Sequence, residues 1–282
     1  MKILATSDIH QLGQKWKMLV QSVQKEKPGI VAIAGDLVPK DNGILGQLPW
    51  IDNLRKYAAQ IQETGSELLL MLGNDDNQLF IPLMEEGEKE GLWKYVANKV
   101  VTINGIEFVG MPYVPDYPFG YKFWCAAEKK DDLRISFSQY TKPLVVDDYN
   151  KFIVIPNYVE YLLGKDSIEE SFEKIVPNVK DIKKSIWLIH APPSGYGLDV
   201  CCDHRRVGSA AVLEFIEKYQ PMITIHGHIH ESPEYSHQWK AHIGDTIAIQ
   251  GGQLDVELHY SMIDINEETE AIEIKHSIYG EH

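Results

Sequence analysis

The chain has 282 residues, 44% of them hydrophobic, and a formal net charge of −14. That length and apolar content are enough to bury a sizeable core and exclude a disordered chain. So acidic a surface repels polyphosphate backbones and excludes broad electrostatic binding to DNA or RNA, though not a small phosphate ligand at a metal site.

Lys2 to Ser7 reads as a buried strand, and Gln14 to Lys25 as an amphipathic helix with Trp16, Leu19, Val20 and Val23 on one face. After the Pro28-Gly29 turn, Ile30 to Ala34 is a second buried strand ending at Gly35-Asp36. Asp41 to Pro49 is a loop, a helix runs from about Trp50 to Glu63, and Glu67 to Leu72 is a third strand ending at Gly73-Asn74. This alternation of strand and helix predicts a parallel sheet with right-handed crossovers. A short helix near Pro82 to Glu90 follows, then a β-hairpin, Val100 to Ile103 and Ile106 to Val109, turned at Asn104-Gly105.

Met111 to about Lys184 shows no strand alternation. It is dense in aromatics, among them Tyr113, Tyr117, Phe119 and Tyr140, with one helix expected from Ile168 toward Lys174. Ile186 to Ile189 is again a buried strand, Gly208 to Tyr219 a helix, and Met222 to Ile225 a strand running into His226-Gly227-His228. Strands at Trp239 to Ile243, Thr246 to Ile249, Glu257 to Asn266 and Ala271 to Ser277 complete the chain. The expected organisation is one domain over 1–282, with a loop-rich aromatic insertion at about 111–184.

The N-terminal stretch is too short for a signal peptide, and no run approaches the ~20 apolar residues that span a bilayer. Cys125, Cys201 and Cys202 are an odd count with a vicinal pair, which is not a disulfide framework. They read as ordinary thiols in a reducing cytoplasm.

Five short pieces stand at the C-terminal ends of the apolar runs: Asp8-Ile9-His10, Gly35-Asp36, Gly73-Asn74-Asp75-Asp76, His190 and Gly227-His228-Ile229-His230. Each has a bland reading. Gly-Asp and Gly-Asn-Asp are common turns, and a single buried histidine is usually a packing residue. Their order and shared placement at strand ends argue for one metal site carrying seven oxygen and nitrogen donors. Two cations about 3.5–4 Å apart acidify a shared water, which attacks phosphorus in line, and they stabilise the charge that develops. Donors without cysteine suit Mn, Fe, Zn, Co or Ni.

On these motifs the chain resembles the calcineurin-like metallophosphoesterase family, from Asp8 to the C-terminal strands and most weakly in the insertion. The resemblance implies a four-layer α/β/β/α sandwich of two mixed sheets with helices outside. It implies that Asp8, His10 and His230 hold one metal, that Asn74, His190 and His228 hold the other, and that Asp36 bridges them. It also implies a small phosphate-ester substrate. The third motif departs from the family pattern, because Asp75 stands where a histidine faces the substrate phosphate. Like charges ~5 Å apart at an effective dielectric of ~20 repel by roughly 3 kcal/mol. Asp75 should therefore disfavour phosphomonoesters and leave diesters favoured. Alternatively Asp75 is a protonated acid or caps the following helix.

The candidate catalytic residues are Asp36, Asp75 and His204. His204 is a substitute donor in the rival reading of a phosphomonoesterase, while Arg205 and Arg206 read as surface charges. A further rival is a catalytically weak binding protein on the same fold. His226 reads as a packing residue behind the ligands. The aromatic insertion reads as a cluster packed over the sandwich edge, or as a wall of the pocket, with Tyr113, Tyr117 and Phe119 its best candidates for contacts with an aromatic leaving group.

Overall fold

Strand β1 (Lys2–Thr6) has four buried residues in succession, and all five residues of β2 (Ile30–Ala34) are buried. Strands apolar on both faces belong in the middle of a covered sheet, and both lie there. The computed structural model describes residues 1–11, 13–40, 43–133, 142–266 and 268–281; Asp41, Tyr140 and His282 lie outside them. Helix α1 (Gln14–Glu26) connects β1 to β2, and α2 (Ile51–Gln62) connects β2 to β3 (Glu67–Met71). Helix α3 (Ile81–Lys89) leads to the short β4 (Lys94–Tyr95), and the hairpin β5 (Val100–Ile103) and β6 (Ile106–Met111) follows.

Next come β7 (Leu144–Val146), β8 (Phe152–Val154), α4 (Tyr158–Leu163) and α5 (Ile168–Ile175). Strand β9 (Ile186–Ile189), α6 (Ala210–Tyr219), β10 (Ile223–His226) and α7 (Ser232–Ser236) precede four closing strands. These are β11 (Lys240–Ile243), β12 (Thr246–Gln250), β13 (Ser261–Ile265) and β14 (Ile272–His276).

Among the described residues the strands form two mixed six-stranded sheets and a two-stranded ribbon. The first sheet runs β14-β13-β1-β2-β3-β4, with β1 to β4 parallel. The second runs β11-β12-β10-β9-β6-β5, with β12, β10, β9 and β6 parallel. The sheets meet where β2 touches β9 and β3 touches β6.

The period-two alternation of a strand explains how a continuous apolar run serves two cores. Phe108, Ile186 and Leu188 join the core shared with the first sheet. Their neighbours Val109, Trp187 and Ile189 point the other way, into a second core with Phe172 of α5 and Phe215 of α6. Phe172 stacks on Phe215 with ring centroids 4.0 Å apart. On the far side, Trp16 of α1 stacks on Tyr57 of α2. The layers are thus helix, sheet, sheet, helix, the expected sandwich. No helix among the described residues is long and apolar enough to cross a membrane.

Beyond the one helix expected in it, the loop-rich insertion also holds a short ribbon and a second helix. Strands β7 and β8 pair as an antiparallel ribbon, and α4 is capped by Asn157, whose side chain accepts from the Glu160 N–H. The three residues of β7 are half-buried and those of β8 exposed. Neither strand alternates, so neither carries a periodic signal. Strand β13 is also shorter than the Glu257 to Asn266 expected.

Candidate metal centre

Parallel strands in register end at one edge of their sheet. β1, β2 and β3 are neighbours in the first sheet, and β9 and β10 in the second. Asp8, Asp36 and His228 each sit two residues past a strand and adopt left-handed φ values of 56°, 55° and 71°. Such backbone costs on the order of 1–3 kcal/mol at each position and persists where the surroundings impose it. Here it turns three side chains off the strand axes and into one cluster. Two glycines let the loops come close enough. A Cβ on Gly73 would lie 2.8 Å from His190 Cε1, and one on Gly227 2.8 Å from Ser7 Cβ.

All seven predicted metal donors are brought together. His230 Nε2 is 3.3 Å from Asp8 Oδ1 and 3.2 Å from His10 Nε2, and His10 Nε2 is 3.5 Å from Asp36 Oδ2. Asp8, His10, Asp36 and His230 offer donor atoms that all lie within 4.8 Å of one another. On the other side of Asp36, His190 Nε2 is also 3.5 Å from Oδ2 and 2.8 Å from Asn74 Oδ1. Asn74 Oδ1 is in turn 2.6 Å from His228 Nδ1. Asp36 Oδ2 is buried and has no hydrogen-bond partner, an arrangement that is costly for a carboxylate unless a cation completes it. Spacings of about 3 Å are those of ligands that each lie about 2.0–2.2 Å from a common cation. The residues therefore fit a divalent metal.

Supporting bonds fix the donors. His190 Nδ1 lies 2.7 Å from the Ala34 carbonyl, Asp8 accepts the His228 N–H, and Asp36 Oδ1 accepts the Asp75 N–H at 2.8 Å. Gln253 N–H donates to the His230 carbonyl, and the fully buried Lys15 donates to Gln253 Oε1 at 2.7 Å.

The electrostatics are those of carboxylates among imidazoles. Burial opposes the charges of Asp8 and Asp36, but His230 beside the first and His190 beside the second overcome it and hold both carboxyls well below the usual range. Burial likewise opposes protonation of His190, yet Asp36 raises it to about 10, and Asp8 raises His230. Burial dominates at His10 and His228, pushing them down to about 4 and about 3.

Asp75 points at this cluster. Its Oδ2 is 3.8 Å from His10 Nε2 and 2.6 Å from Lys40 Nζ. Burial works against the Lys40 charge, but Asp75 outweighs it and holds the ammonium above its ordinary pKa. Capping of the next turn falls to Asn77, whose side chain accepts from the Leu79 N–H. Asp76 is a loop brace that accepts the N–H groups of Leu37, Val38 and Gly73.

His204 is exposed on a turn, its ring edge-on to Tyr235, beside a cavity of about 510 Å³ that none of the seven donors lines. Arg205 pairs with Asp203, and Arg206 donates to the Gly195 carbonyl. His226 is buried, with Nδ1 near the Ile189 and Ala191 carbonyls and Nε2 near Thr224, so it braces β9 against β10. The insertion reaches the cluster through Tyr117, whose ring lies 5.7 Å from that of His228, with the exposed Phe119 beside it. Tyr113 instead lines a separate cavity of about 550 Å³.

Sequence reasoning missed Lys40 and Gln47. Gln47 is fully buried and donates to the Val38 and Asp75 carbonyls. Nothing in a loop sequence distinguishes these two from solvated polar residues.

A family model described as calcineurin-like phosphoesterase matches residues 1–232. One crystal structure is similar over 97% of this chain and 98% of its own, at 16% identity and a TM-score of 0.60. A protein of Thermus thermophilus is similar over 97% of both chains, at 15% identity and a TM-score of 0.54. An archaeal phosphodiesterase aligns over 98% of this chain and 99% of its own, at 14% identity and a TM-score of 0.46. No curated protein matches the sequence significantly.

Proposed function

The chain belongs to the calcineurin-like phosphoesterase family, a hydrolase family acting on phosphate esters, and from that premise we propose that it hydrolyses phosphodiesters with two divalent metal ions. The observation that carries this reading is Asp36 Oδ2. It is buried, makes no hydrogen bond and is equidistant at 3.5 Å from His10 Nε2 and His190 Nε2. One carboxylate oxygen between two sets of donors is the arrangement of a bridging ligand. Asp8, His10 and His230 would hold the first ion, Asn74, His190 and His228 the second, with Asp36 shared. Bound there, a cation pair polarises a phosphoryl oxygen and lowers the pKa of water toward neutrality.

The chain's own groups do the rest. The Asp75 N–H orients Asp36, and the Ala34 carbonyl orients His190. The Asp75 carboxylate, 3.8 Å from His10 Nε2 and only partly offset by Lys40, would add negative charge where a monoester dianion would also bring it. A diester, with one charge fewer, is the better match. Tyr117 and Phe119 form an aromatic step beside His228 suited to a flat leaving group. The three free thiols fit a cytoplasmic setting.

Exposed apolar residues on β8, Phe152, Ile153 and Val154, are what a protein-binding role would use. The complete donor set favours catalysis, since a scaffold has no need of it.

The test is metal analysis of the purified chain together with hydrolysis of aryl phosphate mono- and diesters after loading with Mn. About two ions per chain and faster diester turnover, abolished by chelation, are expected. Full activity in excess chelator sinks the mechanism, and faster monoester turnover sinks the substrate preference.

A further inference from the structure

Held by Lys40, the Asp75 carboxylate stands beside His10 but outside the group of Asp8, His10, Asp36 and His230, whose donor atoms all lie within 4.8 Å of one another, and a small side-chain rotation would bring it among them. Ligands each about 2.0–2.2 Å from one cation are separated by at most about 4.4 Å, and Asp75 Oδ2 is 3.8 Å from His10 Nε2. A carboxylate free to move there would coordinate the ion. It would then fill the position that a catalytic site must leave open to water or substrate. The backbone of Asp75 is pinned at both ends, its N–H on Asp36 Oδ1 and its carbonyl on Gln47 Nε2. What remains free is the side-chain rotation, and the group gripping that side chain is Lys40, at 2.6 Å. Lys40 reaches it from the loop that leaves β2, four residues beyond Asp36, with a side chain about one-third exposed.

We propose that Lys40 is a positioning residue that holds Asp75 off the metal centre, so that a carboxylate at this position leaves a coordination site open. The inference rests on the two-metal reading. It also gives the acidic substitution a physical basis, because the ammonium offsets part of the charge that Asp75 would otherwise turn toward a phosphate.

The test uses the full chain loaded with Mn, with metal affinity read by electron paramagnetic resonance and open coordination positions by water-proton relaxation. In Lys40→Met, Mn should bind about tenfold tighter. Relaxation enhancement should fall by the equivalent of about one bound water, as Asp75 takes its place. Diester kcat should fall more than KM changes. Lys40→Arg should behave as wild type. In the double variant Lys40→Met with Asp75→Asn, the lost water should return. A lysine acting through its field alone would tighten Mn in Lys40→Met without removing a water, and that outcome overturns the proposal. So does a lost water that persists in the double variant. The substrate reading fails separately, if the metal-loaded wild type turns over no diester while the relaxation changes still appear.

Discussion

Asp36 faces both halves of the cluster, whereas Asn74 belongs to one, and the two substitutions should differ accordingly. Asp36→Ala removes the shared carboxylate and is expected to cost activity by about 10³-fold or more, with loss of both ions, while Asn74→Ala costs about 10–100-fold. Metal content by elemental analysis and diester turnover check this, and equal losses would remove Asp36 from the bridging role. Asp75 requires the opposite kind of experiment, a gain. An uncompensated carboxylate would repel a phosphate by roughly 3 kcal/mol at ~5 Å. Lys40 at 2.6 Å offsets part of that. Asp75→His, which also supplies a neutral-pH donor, should therefore raise the ratio of monoester to diester turnover by about tenfold rather than a hundredfold. Asp75→Asn should give a smaller rise. If neither variant moves the ratio, the carboxylate does not act on substrate.

At the level of elements, the insertion is tied to the sandwich by a carboxylate at a helix start. Glu128 is buried and accepts from Ser209 Oγ and from the Ala210 and Ala211 N–H groups at the first turn of α6. Ser209 itself caps Val212. Negative charge at an N-terminus is favourable, and its removal would leave buried donors unpaired. Glu128→Ala should cost about 2–3 kcal/mol and Glu128→Gln about 1 kcal/mol in urea unfolding; a neutral Glu128→Ala would mean that water replaces the carboxylate. The helix from Gly208 to Tyr219 was visible in sequence, but its partner Glu128, 81 residues from Ser209, was not. The same division runs through the fold. Ile186 to Ile189 could be read as a strand because every residue is buried. The ribbon of β7 and β8 could not, because pairing rather than periodicity makes it. The seven donors could be read because each follows an apolar run, whereas Lys40 becomes meaningful only once two loops meet.

On the scale of the whole molecule, the site depends on the two sheets holding their relative position, and His276 is one of the groups that spans them. It lies on β14, at the edge of the first sheet, and its Nε2 is 2.9 Å from the carbonyl of Gly251, just past β12 of the second. Its Nδ1 accepts the N–H groups of Ile278 and Tyr279. A neutral ring satisfies all three bonds, and a proton on Nδ1 would break two. Burial, with His259 adding to it and the Gly251 bond opposing, holds the imidazole pKa down at about 4 against an ordinary 6.5. Because the native value is depressed, the unfolded chain takes up a proton that the native chain refuses. The stability is complete above pH 6.5 and lost as pH falls toward 4, and the full difference is worth about 3 kcal/mol. The net charge of −14 works in the other direction, since protonation relieves self-repulsion, and His226, also lowered to about 4 by burial, adds to the loss. The slope difference between variant and wild type isolates His276. His276→Asn keeps an acceptor but cannot titrate. Its unfolding free energy between pH 6.5 and 4 should fall less steeply than that of wild type, by up to about 1.4 kcal/mol per pH unit. Parallel slopes would show that the sheet junction does not sense this proton.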